Sequence, residues 1–103
     1  MDNLPYNVIY EELPEKEILR FSGQLIINYI ENITEAVKNK VSVSKDLDVQ
    51  IDNPDSIDVT FIQLLLSIIK TFEANDKNVS VTSELKDELK TLIGNSGFSY
   101  VLN

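Results

Sequence analysis

At 103 residues and 11.7 kDa the chain has the size of one domain, and it contains neither Cys nor His. That composition excludes disulfides, thiol nucleophiles and the usual zinc sites, and it removes the commonest general base. Nine basic residues against seventeen acidic ones leave a formal charge of -8, which repels phosphate backbones and anionic lipid surfaces, so nucleic acid is not an expected partner.

The opening Met1-Asp2-Asn3-Leu4-Pro5 has no basic stretch and no apolar run, unlike a secretory signal. Apolar runs such as Leu64-Leu65-Leu66 fall far short of the roughly 20 apolar residues of a membrane span. A cytoplasmic protein is expected, without direct membrane insertion. The acceptor patterns Asn32-Ile33-Thr34 and Asn78-Val79-Ser80 therefore carry no weight as glycosylation sites.

Tyr6 to Leu13 reads as a first strand ended by Pro14-Glu15-Lys16, and Ile18 to Phe21 as a second that closes at Ser22-Gly23, together an N-terminal hairpin. From Leu25 to Val41 the period changes to 3.6. Ile26, Tyr29, Ile30, Ile33, Val37 and Val41 share one face and Asn28, Glu31, Asn32, Glu35 and Lys38 the other, which predicts an amphipathic helix. Leu47, Val49 and Ile51 alternate with Asp48, Gln50 and Asp52, the pattern of a strand buried on one face. The strand breaks at Asn53-Pro54-Asp55, and a second helix follows from about Val59 to Glu73.

Val79-Ser80-Val81-Thr82 predicts a short strand. Ser83 then caps a third helix with Leu85, Leu89, Leu92 and Ile93 on one face and Gly94 as its stop, and Phe98 to Leu102 forms a final edge strand or a packed tail. The expected fold is α/β: one domain over residues 1–103, a mixed sheet of four to five strands, and about three helices mainly on one face. The other sheet face is left for solvent or a partner, and a homodimer through that face or an edge is compatible with the pattern.

The second helix has an apolar arc of about 200 degrees, made by Phe61, Ile62, Leu64, Leu65, Leu66, Ile68, Ile69 and Phe72. Thr60 heads the remaining polar stripe of Gln63, Ser67, Lys70 and Thr71, so a hydroxyl stands at the mouth of a helix beside apolar shoulders. Such a surface suits another protein. Two plainer readings stand beside it. Asp58 can be an N-cap and Thr60 a polar first-turn residue, and the arc can be covered by the first helix and the Phe98 to Val101 segment.

Asp52, Asn53, Asp55 and Asp58 crowd one strand end, but Pro54 and the missing Gly break the EF-hand pattern, so no metal is expected. No basic residue adjoins Asp55, Asp58 and Thr60 and no Gly-rich cradle precedes the helix, so the chain is not expected to be an enzyme or to hold a cofactor.

Asp58-Val59-Thr60-Phe61-Ile62, with the alternating strand before it, the Phe21-Ser22-Gly23 strand end and the Val79 to Thr82 strand, resembles the STAS domain family of bacterial anti-sigma-factor antagonists over most of the chain. In that family Asp-Ser-Ser-Gly-Leu opens an apolar helix and a partner kinase phosphorylates the second Ser. The resemblance implies that Asp58 stands for the motif Asp and Thr60 for the phosphoacceptor, while Val59 replaces the first Ser and Phe61 the Gly. It implies a non-enzymatic phosphoprotein of transcription regulation. Such a protein docks on an anti-sigma kinase or similar regulator through Asp58, Val59, Phe61, Ile62, Gln63 and Leu66, and a phosphatase restores it after release. The alternative is a constitutive STAS subunit of a signalling, chemotaxis or lipid-transport complex, in which Thr60 is a contact and Phe61 and Ile62 serve a permanent interface.

Overall fold

The computed structural model describes residues 4–83. Their elements are β1 (Tyr6–Glu12), β2 (Lys16–Leu25), α1 (Ile30–Lys40), β3 (Asp46–Ile51), β4 (Ser56–Ile57), α2 (Val59–Ala74) and β5 (Val79–Ser83). The expected third helix and final strand lie outside the described residues.

The sheet runs β1-β2-β3-β5, and β4 pairs with β2. β1 and β2 form an antiparallel hairpin, with Val8 opposite Phe21 and Tyr10 opposite Leu19. The β2–β3 and β3–β5 pairs are parallel, and each is joined by a crossover through a helix. Residues of one parity meet the helices: Tyr6, Val8 and Tyr10 on β1, Leu19 and Phe21 on β2, Leu47, Val49 and Ile51 on β3, Val79 and Val81 on β5. α1 contributes Ile33 and Val37 to this core, and α2 contributes Phe61, Ile62, Leu65, Ile68 and Phe72. The opposite sheet face is mostly polar, with Ile9 and the buried Ile18 as its apolar members. There Arg20 donates to Gln50 at 3.0 Å and approaches Glu11 at 3.4 Å, and Lys16 lies 3.5 Å from Asp48.

The elements differ from the sequence pattern in several places. β2 begins at Lys16, which the pattern assigned to the turn, and continues past Ser22-Gly23 to Leu25, the helix expected from Leu25 starts at Ile30, and the two-residue β4 has no sequence counterpart. The physical reason is tertiary pairing. Gln24 and Leu25 are held as strand by Ser56 and Ile57, and a 26–29 turn follows, closed by the Tyr29 amide donating to the Ile26 carbonyl at 2.9 Å. Gly23 allows this path: its φ is +83, and an added Cβ would lie 2.5 Å from the Pro5 carbonyl oxygen, which accepts from the Gln24 amide at 2.7 Å.

One buried group was not visible as such in the sequence. Glu17, on the core side of β2, is 0% exposed, and its Oε1 accepts from the Tyr10 hydroxyl and from the Ser42 amide, each at 2.8 Å. Its Oε2 has no partner among the described residues. The carboxylate ties the loop after α1 to the sheet, and that loop turns through Val43 at φ 57. Burial, the bond to Glu17 and the charge of Glu17 push the Tyr10 phenol up to about 12.

Two outcomes follow from these contacts. Gly23→Ala costs about 2 kcal/mol or more in denaturant unfolding, because the positive φ and the Pro5 carbonyl both oppose a Cβ. A raised phenol pKa stabilises the fold below the ordinary value of 10.0, and that contribution is lost as pH rises through about 12. Unfolding measured from pH 9 upward therefore shows an alkaline fall in stability, and Tyr10→Phe flattens that fall.

Candidate functional site

After Ile51 the chain leaves the β2 ladder and returns to it at Ser56. Phe21 pairs with Ile51 and Gln24 with Ser56, so residues 52–55 bulge opposite residues 22 and 23. The bulge is pinned by the Asp52 amide donating to the Phe21 carbonyl at 2.9 Å and the Asp55 amide to the Gly23 carbonyl at 2.8 Å. Asn53 takes the left-handed turn at φ 41, a region Asn tolerates, and Pro54 is buried. β4 then delivers Asp58, whose amide donates to the Leu25 carbonyl at 3.2 Å, to the start of α2.

Asp58 is the N-cap of α2, with extended φ -132 and ψ -178. Its Oδ1 accepts from the Thr60 amide at 3.0 Å and from the Thr60 hydroxyl. An ionised carboxylate has no proton to give, so the threonine is the donor. Its Oδ2 accepts from the Ile27 amide at 2.9 Å. Partial burial opposes ionisation, but the Thr60 hydroxyl and the amides of Ile27, Thr60 and Phe61 outweigh it and hold the carboxyl below its ordinary value. One side chain thus caps α2 and fastens the turn between β2 and α1.

Around this cap the expected docking residues divide. Val59 is 45% exposed, Gln63 is exposed and Leu66 is half-buried, whereas Phe61 and Ile62 are 0% and 2% exposed. Phe61 meets Phe21 edge-on with ring centroids 5.0 Å apart. The expectation that Phe61 and Ile62 face a partner is therefore corrected: the core claims both. Leu65, Ile68 and Phe72 are buried with them, and Leu64, Leu66 and Ile69 pack half-buried against the same core. The broad arc is thus largely core, and two of the exposed apolar residues, Val59 and Ile27, lie at the mouth of the helix. One of them, Ile27, is 64% exposed in the 26–29 turn and was missed in the sequence, where it falls inside the helix expected from Leu25 to Val41.

Thr60 is half-buried with its hydroxyl engaged by Asp58. The segments that meet here, 21–29 and 51–63, contain Asp52, Asp55 and Asp58 and no Lys or Arg. No group of three or more acidic side chains converges in a metal-binding arrangement among the described residues, and no helix among them is long and apolar enough to cross a membrane. A groove of about 140 Å³ between α1 and α2 is lined chiefly by Val37, Val41, Val43, Leu64, Ile68 and Phe72, with Lys38 at its rim.

No protein-family model matches the chain, and no curated protein sequence matches it. Solved structures do. The anti-sigma factor antagonist SpoIIAA in its unphosphorylated form is similar at a TM-score of 0.71 with 14% identity, over 94% of this chain and 86% of that one. An antisigma-factor antagonist STAS domain from Rhodobacter sphaeroides is similar at a TM-score of 0.58 with 16% identity, over 99% of this chain and 100% of that one. At these identities the likeness fixes the fold.

Replacing the cap tests the geometry. Asp58→Ala lowers stability by about 1 to 2 kcal/mol in denaturant unfolding. A depressed carboxyl pKa stabilises the fold above the ordinary carboxylate value and loses that contribution as pH falls below it, so the parent protein loses stability in acid. The alanine variant shows a shallower acid limb.

Proposed function

We propose that this chain, a small α/β domain with the STAS fold, is a non-enzymatic bacterial binding module of the anti-sigma-factor-antagonist kind, working in the cytoplasm. Its site is the mouth of α2. The observation that carries the reading is a phosphorylatable hydroxyl, Thr60, set in the first turn of an apolar helix and flanked by two exposed aliphatic groups, Val59 and Ile27. The likeness to SpoIIAA and to the Rhodobacter sphaeroides domain supports it through fold.

The unphosphorylated domain docks on an anti-sigma kinase or similar regulator through Asp58, Val59, Gln63, the edge of Leu66 and, from the neighbouring turn, Ile27. The kinase supplies ATP and phosphorylates Thr60. The phosphate adds about -1.5 to -2 charges at a surface without a cation in its own segments. In the free domain the first-turn amides and the helix dipole tolerate that charge. Buried in an interface without a counter-charge it costs several kcal/mol, enough to expel the partner, and a phosphatase reverses the state.

A second reading is favoured by one contact. The Thr60 hydroxyl already donates to Asp58, as it does in a cap that serves only structure. In that case the domain is a permanent subunit of a signalling, chemotaxis or lipid-transport assembly. Phe61 and Ile62 no longer argue for this alternative, since they are spent on the core.

Native-lysate pull-downs with wild type and Thr60→Asp as bait, read by mass spectrometry, separate the two. Capture of an ATP-binding kinase by wild type alone is the expected result, and equal capture by both baits overturns the switch. Ile27→Asp and Val59→Asp each weaken the same capture on the order of tenfold or more, since each puts an unpaired charge into the contact.

A further inference from the structure

The two carboxylate oxygens of Asp58 serve different elements. Oδ1 takes the Thr60 amide and hydroxyl, while Oδ2 takes the Ile27 amide at 2.9 Å. Ile27 is the most exposed large apolar residue near this end, at 64%, and it sits in a four-residue turn, 26–29, outside any strand or helix. Whatever moves the Asp58 side chain therefore also changes the hold on the Ile27 turn. The main chain gives a reference point: the Asp58 amide donates to the Leu25 carbonyl at 3.2 Å, a bond in which the side chain takes no part.

We propose that Asp58 relays the phosphorylation state of Thr60 to the Ile27 turn, so that the switch alters the shape of the docking surface as well as its charge. This rests on the reading of Thr60 as the phosphoacceptor. The γ-phosphoryl group of ATP passes to Oγ1: the Oγ1–P bond forms, the bond from phosphorus to the bridging oxygen breaks, and ADP leaves with that electron pair. The hydroxyl proton goes to a base of the kinase. Oγ1 is then an ester oxygen with no proton to donate, so its bond to Asp58 is gone. In its place stand three acceptor oxygens carrying about -1.5 to -2 charges, which compete with the carboxylate for the amides of Thr60 and Phe61.

Two anions at this spacing repel, and no Lys or Arg in segments 21–29 and 51–63 bridges them. Thr60 is β-branched and lies within the first turn of α2, which restricts its χ1, whereas Asp58 is the flanking cap residue and has lost the hydroxyl that held Oδ1. Asp58 therefore swings outward and Oδ2 releases the Ile27 amide.

The test is amide hydrogen exchange by NMR on full-length 15N-labelled protein, with phosphothreonine incorporated at position 60 during translation. Phosphorylation is expected to speed exchange of the Ile27 amide on the order of tenfold, while Val49 in the core of β3 stays unchanged. Asp58→Asn keeps an oxygen for the cap but turns an NH2 towards Ile27. It is expected to speed Ile27 exchange equally without phosphate and to leave nothing for phosphorylation to add. Thr60→Val, which removes the hydroxyl without adding charge, is expected to keep Ile27 protected. An Ile27 amide that exchanges within about twofold of its original rate in the phosphothreonine protein overturns the relay. Loss of partner capture by that same protein would then leave the charge switch standing alone. Release of Ile27 with partner capture intact would uphold the relay and overturn the proposed function.

Discussion

β2 pairs with β3 as far as Phe21 and Ile51, and from Gln24 it pairs with β4. Between those points residues 52–55 face residues 22 and 23, and the ladder resumes only because Gly23 turns at φ +83 beneath the Pro5 carbonyl. The exchange of partners carries the chain sideways at the end of the parallel strands and points Ile57 into the core, with Asp58 just beyond it. Were β3 to run on straight, Asp58 would not meet the Leu25 carbonyl or the Ile27 amide, and α2 would start without its cap. The site at the mouth of α2 is a consequence of strand pairing upstream.

Given that placement, the chemistry of the cap follows from its donors. Three amides and a hydroxyl converge on one carboxylate and favour its ionised form over the cost of partial burial. The carboxylate compensates the free amides that any helix N-terminus presents. At the other end of β2 a second carboxylate, Glu17, has the Tyr10 hydroxyl and the Ser42 amide on one oxygen and is wholly buried. Each acid fastens a loop, Glu17 to the sheet and Asp58 to the start of α2, but only Asp58 does so beside solvent. That difference places Asp58 at the surface and leaves Glu17 a fixture of the interior.

The apolar face of α2 shows how a helix in this fold is divided. Phe61, Ile62, Leu65, Ile68 and Phe72 join Phe21, Val49 and Ile51 in one buried cluster, and Phe61 reaches Phe21 in an edge-on contact. A bulky ring where the STAS motif has a small residue is thus accommodated inward. Val59, one position before Thr60, turns outward, and with Ile27 it provides the apolar component of the surface. The exposed surface at the mouth of α2 is accordingly narrower and more polar than the helix composition suggests.

Local pattern alone was enough to place several elements. The patterns over Tyr6 to Leu13, Leu47 to Ile51 and Val79 to Thr82 marked strands, the first one residue too long, because period-2 burial is a property of the strand itself. The long apolar period from Val59 marked α2, and Asp58 before it marked the cap, since a short acidic side chain at that spacing reaches the second amide of a helix. Tertiary structure decided the rest. Leu25-Ile26-Ile27 satisfies a helix or a strand equally well, and only Ser56 and Ile57, more than twenty-five residues later, made Leu25 a strand and left Ile27 exposed. Ser56-Ile57 is too short to carry a period at all. The burial of Glu17 needed the Tyr10 hydroxyl and the Ser42 amide, which no spacing announces. Which side of a wide apolar arc meets solvent was settled by the sheet beneath it, because periodicity records that a face is apolar and not what covers it.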